Sequence, residues 1–160
     1  MCPMETNVLA GTKKKTSAKI LTRKRQQISF RRWIVGKSGG GTIDKYVGTD
    51  IWSVRQWISD RMTEGMNWNN YGSVWVIDHI VPLRIFDLSK EADLKICWHY
   101  KNMMPLLIED NLAKEGNVFF AFILLNKIKG EDYFLNKLYE RIQPEIDTMN
   151  KYIMTYCNTI

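Results

Sequence analysis

The chain has little of several things that mark whole classes of protein. Its 160 residues include three cysteines, two histidines and four prolines. Cys2, Cys97 and Cys157 are odd in number and far apart, so they make neither a disulfide framework nor a C-x-x-C zinc knuckle, and a reducing compartment suits them. The longest unbroken apolar run, Val118 to Leu125, falls well short of the roughly 20 residues that cross a bilayer. No charged-then-apolar signal opens the chain, and the expectation is an intracellular protein, in the cytoplasm or at DNA.

What is present is the composition of an ordinary globular protein, 45% apolar and 25% charged, at a length that favours one core. The charge is lopsided. Residues 1–60 carry 12 Lys/Arg against 4 Asp/Glu, whereas residues 61–160 carry 11 against 13. Such an asymmetry fits either a basic arm that meets a polyanion, nucleic acid being the commonest, or a solvated tail kept charged for solubility.

The pattern divides the chain into a basic arm with a glycine-rich linker (1–45), a central segment (46–117) and a helical extension (118–160). Residues 1–16 lack apolar periodicity. Ser17 to Val35 is basic with sparse hydrophobes at Ile20, Leu21, Ile28, Trp33 and Ile34, which predicts a weak helix, and Gly39-Gly40-Gly41 then breaks regular structure. Thr49 or Asp50 can cap a helix with Ile51, Val54, Ile58 and Met62 on one stripe. Val74 to Ile77 reads as a strand that runs into Asp78-His79 and ends by Pro82. Ser89 can cap a short helix with Leu94, Cys97 and Trp98 inward; Asn102 to Leu106 is extended; Ile108 to Glu115 is a helix closed by Gly116. Helical stripes then follow over Val118–Lys129, over Phe134–Ile142, and, after Pro144, over Ile146–Tyr156.

Four features fall in order within forty residues: Asp78-His79 at a strand end, Asn102 before an extended pair of turns, Pro105-Leu106, and Asp110-Asn111 with Lys114 on a helix. A phosphodiester hydrolase needs a base for water and a divalent cation for the phosphate and the departing oxygen. Imidazole suits the first task. A carboxylate with a carboxamide suits magnesium, which takes hard oxygen ligands and keeps several waters. Adjacent strand residues face opposite ways, so Asp78 and His79 can converge only where the strand ends or bends.

The strings Asp78-His79-Ile80-Val81-Pro82-Leu83, Trp98-His99-Tyr100-Lys101-Asn102-Met103-Met104-Pro105-Leu106 and Asp110-Asn111-Leu112-Ala113-Lys114 resemble the HNH endonucleases, in the phage- and intron-encoded branch that includes homing endonucleases. The Gly48–Met62 helix and the Glu64–Gly72 loop are similar to that branch too, so the resemblance covers about residues 46–117. It implies an α+β fold with a ββα-metal (His-Me finger) core flanked by further helices. His79 would be the general base, Asp78 and Asn111 the ligands of a single magnesium or manganese ion, and Asn102 the residue that braces the loop and holds His79. The last letter of the motif is Asn here, as in the magnesium-type sites. Val76, Met104 and Leu107 depart from the residues frequent in relatives, His, Gln and Trp respectively.

The expected activity is metal-dependent hydrolysis of DNA, giving 5′-phosphate and 3′-hydroxyl ends. Lys114, Arg84, Arg55, Arg31, Arg32, Lys24 and Arg25 are the candidate DNA contacts, while Lys114 and Arg84 read equally as surface cations. Trp68 and Trp75 read as buried aromatics ahead of base-stacking platforms, and His99 as structural. The alternatives are a nuclease directed to branched or nicked DNA, a catalytically silent DNA-binding scaffold, and a virion-associated structural protein built on the helical tail.

Overall fold

The computed structural model describes residues 23–39, 41, 43–128 and 132–157. The expectations for the tail and for Lys13, Lys14, Lys15 and Lys19 lie outside them. The fold is α+β, in which helices surround a small antiparallel sheet.

Helix α1 spans residues 23–34 and ends where Gly36 turns left-handed (φ 72°). There the Gly36 and Lys37 amides donate to the Trp33 and Arg32 carbonyls, satisfying groups that the helix end would otherwise leave open. A short helix, α2 (Asp44–Val47), closes at Gly48. Helix α3 (Ile51–Ser59) is capped by Asp50, whose carboxylate accepts from the amides of Trp52 and Ser53 at 2.8 and 3.0 Å. Strand β1 (Trp75–His79) pairs antiparallel with β2 (Met103–Leu107), in a register that sets Asp78 opposite Met104 and His79 opposite Met103. Between them lies α4 (Glu91–Cys97). Helix α5 (Ile108–Lys114) follows β2 directly and ends at left-handed Glu115 and Gly116. Helices α6 (Val118–Ile128) and α7 (Tyr133–Cys157) pack on one another.

One core runs through all three segments delimited by composition. Phe30, Trp33 and Ile34 from α1, Val54 and Ile58 from α3, Trp75 from β1, Cys97 and Trp98 at the end of α4, and Val118, Leu125, Leu138 and Ile142 from α6 and α7 are all buried in it. The boundaries at 45/46 and 117/118 therefore mark changes of composition within a shared core. Helix α1 in particular is no loose arm. Its basic residues face out, and its three large hydrophobes reach in.

Three local expectations change. Ser89 does not cap α4, because its hydroxyl and amide both go to the Asp87 carboxylate; Lys90 takes the cap position without a side-chain bond. Met62 lies beyond the end of α3. Pro144 does not separate two helices but sits inside α7. The buried stripe Leu135, Leu138, Ile142 and Ile146 runs straight across it, and burial on both sides offsets the one backbone bond that proline cannot make.

If α1 belongs to the core, Ile34→Ala should cost about 2–4 kcal/mol in urea unfolding, as large-to-small core changes do, whereas Ile28→Ala on the exposed face of the same helix should stay within about 0.5 kcal/mol. Equal effects would place the helix outside the core.

Candidate active site

The site is built where β1 ends. Ile80 and Val81 leave the strand and are caught by Asn102, which is fully buried. Its carboxamide oxygen accepts from the Val81 amide at 2.9 Å, its nitrogen donates to the Cys97 carbonyl at 2.9 Å and reaches the Val81 carbonyl at 3.4 Å, and its own carbonyl accepts from the Ile80 amide at 2.7 Å. One side chain thus ties the loop after β1 to the end of α4. Asn102 lies outside the cavity lining, so it holds the site without touching what enters it.

Asp78, His79 and Asn111 do line one cavity, of about 110 Å³, together with Val76, Ile77, Trp98 and Met103. The strand end brings Asp78 and His79 there, and the helix that follows β2 brings Asn111. The imidazole of His79 stands edge-on to the indole of Trp98, with ring centroids 4.9 Å apart, and its Nδ1 is 4.0 Å from Asp78 Oδ1. His79 Nε2 is buried with no hydrogen-bond partner among the described residues. Burial pushes the His79 pKa down to about 4, the positive charges of Lys114 and Arg23 add to this, and only Asp78 acts the other way. The ring is neutral at pH 7 and so in the state that accepts a proton.

Lys114 turns inward, away from any solvent-exposed phosphate. Its buried ammonium donates to Asp78 Oδ2 at 2.6 Å and to the His79 carbonyl. The expectation of a surface DNA contact therefore gives way to an internal one: Lys114 fixes the Asp78 carboxylate through one oxygen. The other oxygen, Oδ1, faces the histidine.

Two other candidate DNA contacts are engaged within the fold. Arg84 makes a two-pronged ion pair with Glu145 of α7, at 2.6 and 2.8 Å, and donates to the Gly116 carbonyl. Arg55 donates to the Ile34 carbonyl at the end of α1 and stacks 3.9 Å over the Trp68 ring. Arg31, Arg32, Lys24 and Arg25 are exposed along α1. They do not form one face. Arg25 and Arg32 line a shallow surface hollow with Ile28 and Ser29, while Arg31 lines the Asp78–His79–Asn111 cavity beside Gln27 and Phe30.

That contribution from α1 was missed in the sequence. The spacing of Arg23, Gln27 and Arg31, every fourth residue, was the available signal. Trp98 is expected to point inward but not as the neighbour of His79; it also donates from Nε1 to Gln26 of α1 at 3.2 Å. Trp75 is fully buried, with Nε1 donating to Asn67 and Asn70, so it offers no face to a base.

His99 lies away from this cavity. Its ring stacks on Phe134 at 3.7 Å, Nδ1 accepts from the Lys101 amide, and a Cβ on Gly48 would fall 2.7 Å from it. Gly48, at φ 81°, is thus required both by backbone and by space. Burial, helped by Lys101, puts His99 at about pKa 4 as well.

Among the described residues no three His, Cys, Asp or Glu side chains gather into a metal cluster. A cation at this site would rest on the Asp78 carboxylate and the Asn111 carboxamide with water filling the other positions, a donor set that suits a hard divalent ion. The residues fit such an ion, with Lys114 sharing the carboxylate.

No protein-family model matches the chain, and no solved structure does. Two uncharacterized proteins of Acanthamoeba polyphaga mimivirus are similar to it. One is 40% identical over 74 residues, covering 46% of this chain and 33% of the relative; the other is 30% identical over 81 residues, covering 51% and 36%. The match thus spans about a third of each relative's length. No described helix is long and apolar enough to cross a membrane.

Both histidines are neutral when folded and take up protons on unfolding below their ordinary pKa of 6.5, so their contribution to stability is complete above about pH 6.5 and is lost as the pH falls toward 4. Unfolding free energy measured between pH 6.5 and 5 should fall with a slope of up to one proton per histidine. Replacing either by Gln should flatten that slope; an unchanged slope would refute the buried neutral state.

Proposed function

We propose that the chain is a metal-dependent DNA endonuclease of the HNH kind, with β1, β2 and α5 as its ββα-metal core. The observation that carries this reading is the convergence of Asp78, His79 and Asn111 on one cavity at a strand end braced by Asn102. A base, a carboxylate and a carboxamide, from residues up to 33 apart along the chain, thus line one cavity where α5 packs on β1. The resemblance of the three motif strings to HNH endonucleases supports the same assignment.

In this reading His79 takes a proton from water, whose oxygen attacks the phosphorus of a DNA phosphodiester. The bond from phosphorus to the 3′-oxygen breaks, leaving a 5′-phosphate and, once that oxygen is protonated, a 3′-hydroxyl. The imidazolium so formed stands beside Asp78, which stabilises it. Asp78 and Asn111 would hold a magnesium-type ion, which supplies positive charge to the phosphate and the departing oxygen. Asn102 and Trp98 fix where the imidazole stands, and Lys114 fixes the carboxylate. A low histidine pKa weakens the base but keeps it free of its proton over the whole physiological range.

A catalytically silent DNA-binding scaffold is the competing reading, and one observation favours it: Lys114 already supplies a cation to Asp78. Cleavage of supercoiled plasmid with and without magnesium or manganese separates the two. His79→Ala should lower the cleavage rate on the order of 10²–10⁴-fold with folding and DNA affinity nearly intact. Asp78→Ala and Asn111→Ala should lose activity that higher metal concentration partly restores, which it cannot do for a missing base. No nicking by the parent protein on any DNA form, or an active His79→Ala, would overturn the nuclease assignment.

A further inference from the structure

We propose that helix α1 builds the anion-holding wall of this cavity, and that Arg31 is the residue that grips the phosphate undergoing hydrolysis. The proposal rests on the nuclease reading for the identity of that phosphate, though not for the existence of the anion site.

Two groups of different chemistry line the cavity: Asp78, His79 and Asn111 from β1 and α5, and Gln27, Phe30 and Arg31 from α1. At about 110 Å³ it matches an ionic group with some of its waters, and it is too small for a nucleoside. Phosphate is the part of a nucleic acid that fits.

Charge then favours an anion. The Asp78 carboxylate is already matched by the buried Lys114 ammonium and so does not neutralise the guanidinium of Arg31. Arg55, Arg61, Arg84 and Arg141 each donate to a partner inside the fold, to Ile34, Trp57, Glu145 and Asp93 in turn. Arg31 makes no ion pair among the described residues. A second, independent sign of a ligand is His79 Nε2, a polar atom of a side chain more than nine-tenths buried, which has no hydrogen-bond partner among the described residues.

Helix α1 is also rigid where this demands rigidity. Phe30, Trp33 and Ile34 anchor it in the core, and Gln26 is held by Trp98, so the helix position that carries Arg31 is held beside the cavity before any substrate arrives. A planar guanidinium donates two parallel hydrogen bonds to phosphate oxygens. Those bonds strengthen as the oxygens gain charge in the transition state, so the side chain should act on rate as well as on binding. Arg32, next in sequence, belongs to a different hollow on the helix and should act through affinity alone.

The test compares the parent, Arg31→Ala, Arg31→Lys and Arg32→Ala in single-turnover cleavage at saturating DNA, alongside titration with inorganic phosphate followed through the His79 ring resonances by NMR. Arg31→Ala should cut the saturated rate on the order of 10²-fold, and Arg31→Lys should recover part of it. Arg32→Ala should weaken DNA binding and flatten its salt dependence. Phosphate should shift the His79 signals of the parent and need at least tenfold more for Arg31→Ala. A parent that binds phosphate through Arg31 yet cleaves nothing would sink the nuclease reading and leave the anion site standing. Arg31→Ala cleaving at the parent rate, or phosphate shifting its His79 signals as in the parent or those of neither protein, would overturn the proposal.

Discussion

Everything at the site depends on the loop that leaves β1, and that loop is held by the amide of Asn102. A strand end is ordinarily where backbone groups lose their partners and the chain is free to choose a direction. Here the first two residues after the strand, Ile80 and Val81, give their amides to the carbonyl and carboxamide of Asn102, which in turn grips the Cys97 carbonyl. The bend at Asp78-His79 is thereby fixed to the end of α4. Trp98, the next residue, packs its indole against the His79 imidazole. A fully buried carboxamide with an unmade bond would cost about 1–3 kcal/mol, so the geometry around the histidine is specified by polar satisfaction as much as by packing.

Burying charge so close to that bend imposes a second constraint. Lys114 has its ammonium out of solvent, which is tolerable only with a carboxylate and further acceptors at hand. Asp78 and the His79 carbonyl are those acceptors, both at the end of β1. The pair therefore links α5 to the strand independently of Asn111, and any cation on Asp78 meets a carboxylate already oriented and partly neutralised. The histidine stays uncharged for the same reason: burial and the lysine both oppose its proton.

The sequence was most legible where local signals agree. The apolar run Val74 to Ile77 leading into Asp78-His79, a proline soon after, and Gly116 after a helical stripe each mark a boundary that the structure keeps within a residue or two. Asp50 as a cap was legible because its side chain needs only the two amides that follow it. What stayed hidden depends on partners far along the chain. Nothing near Arg84 announces Glu145, and nothing near Arg55 announces the end of α1. Lys114 reads as a surface cation because a lysine on a helix usually is one; only the tertiary placement of Asp78 beneath it draws it in. Pro144 reads as a helix break until the stripe on either side of it is seen to share one core.

The basic N-terminal segment illustrates how composition conceals structure. Charge dominates residues 23–34, and a mean over them predicts solvent. Yet three hydrophobes, at 30, 33 and 34, suffice to seat the helix in the core, because the i, i+3, i+4 positions fall on one face and each is almost wholly removed from water. Once that face is fixed, every other residue has its direction assigned. Gln27 and Arg31 must lie toward the β1 end, and Arg25 and Arg32 toward a separate hollow. The same few buried side chains that stabilise the helix thus divide its cations between two surfaces, one of them inside the candidate site. A basic segment of this kind is not a uniform source of affinity. Its charges differ in what they can reach, and the difference is set by the hydrophobic residues between them.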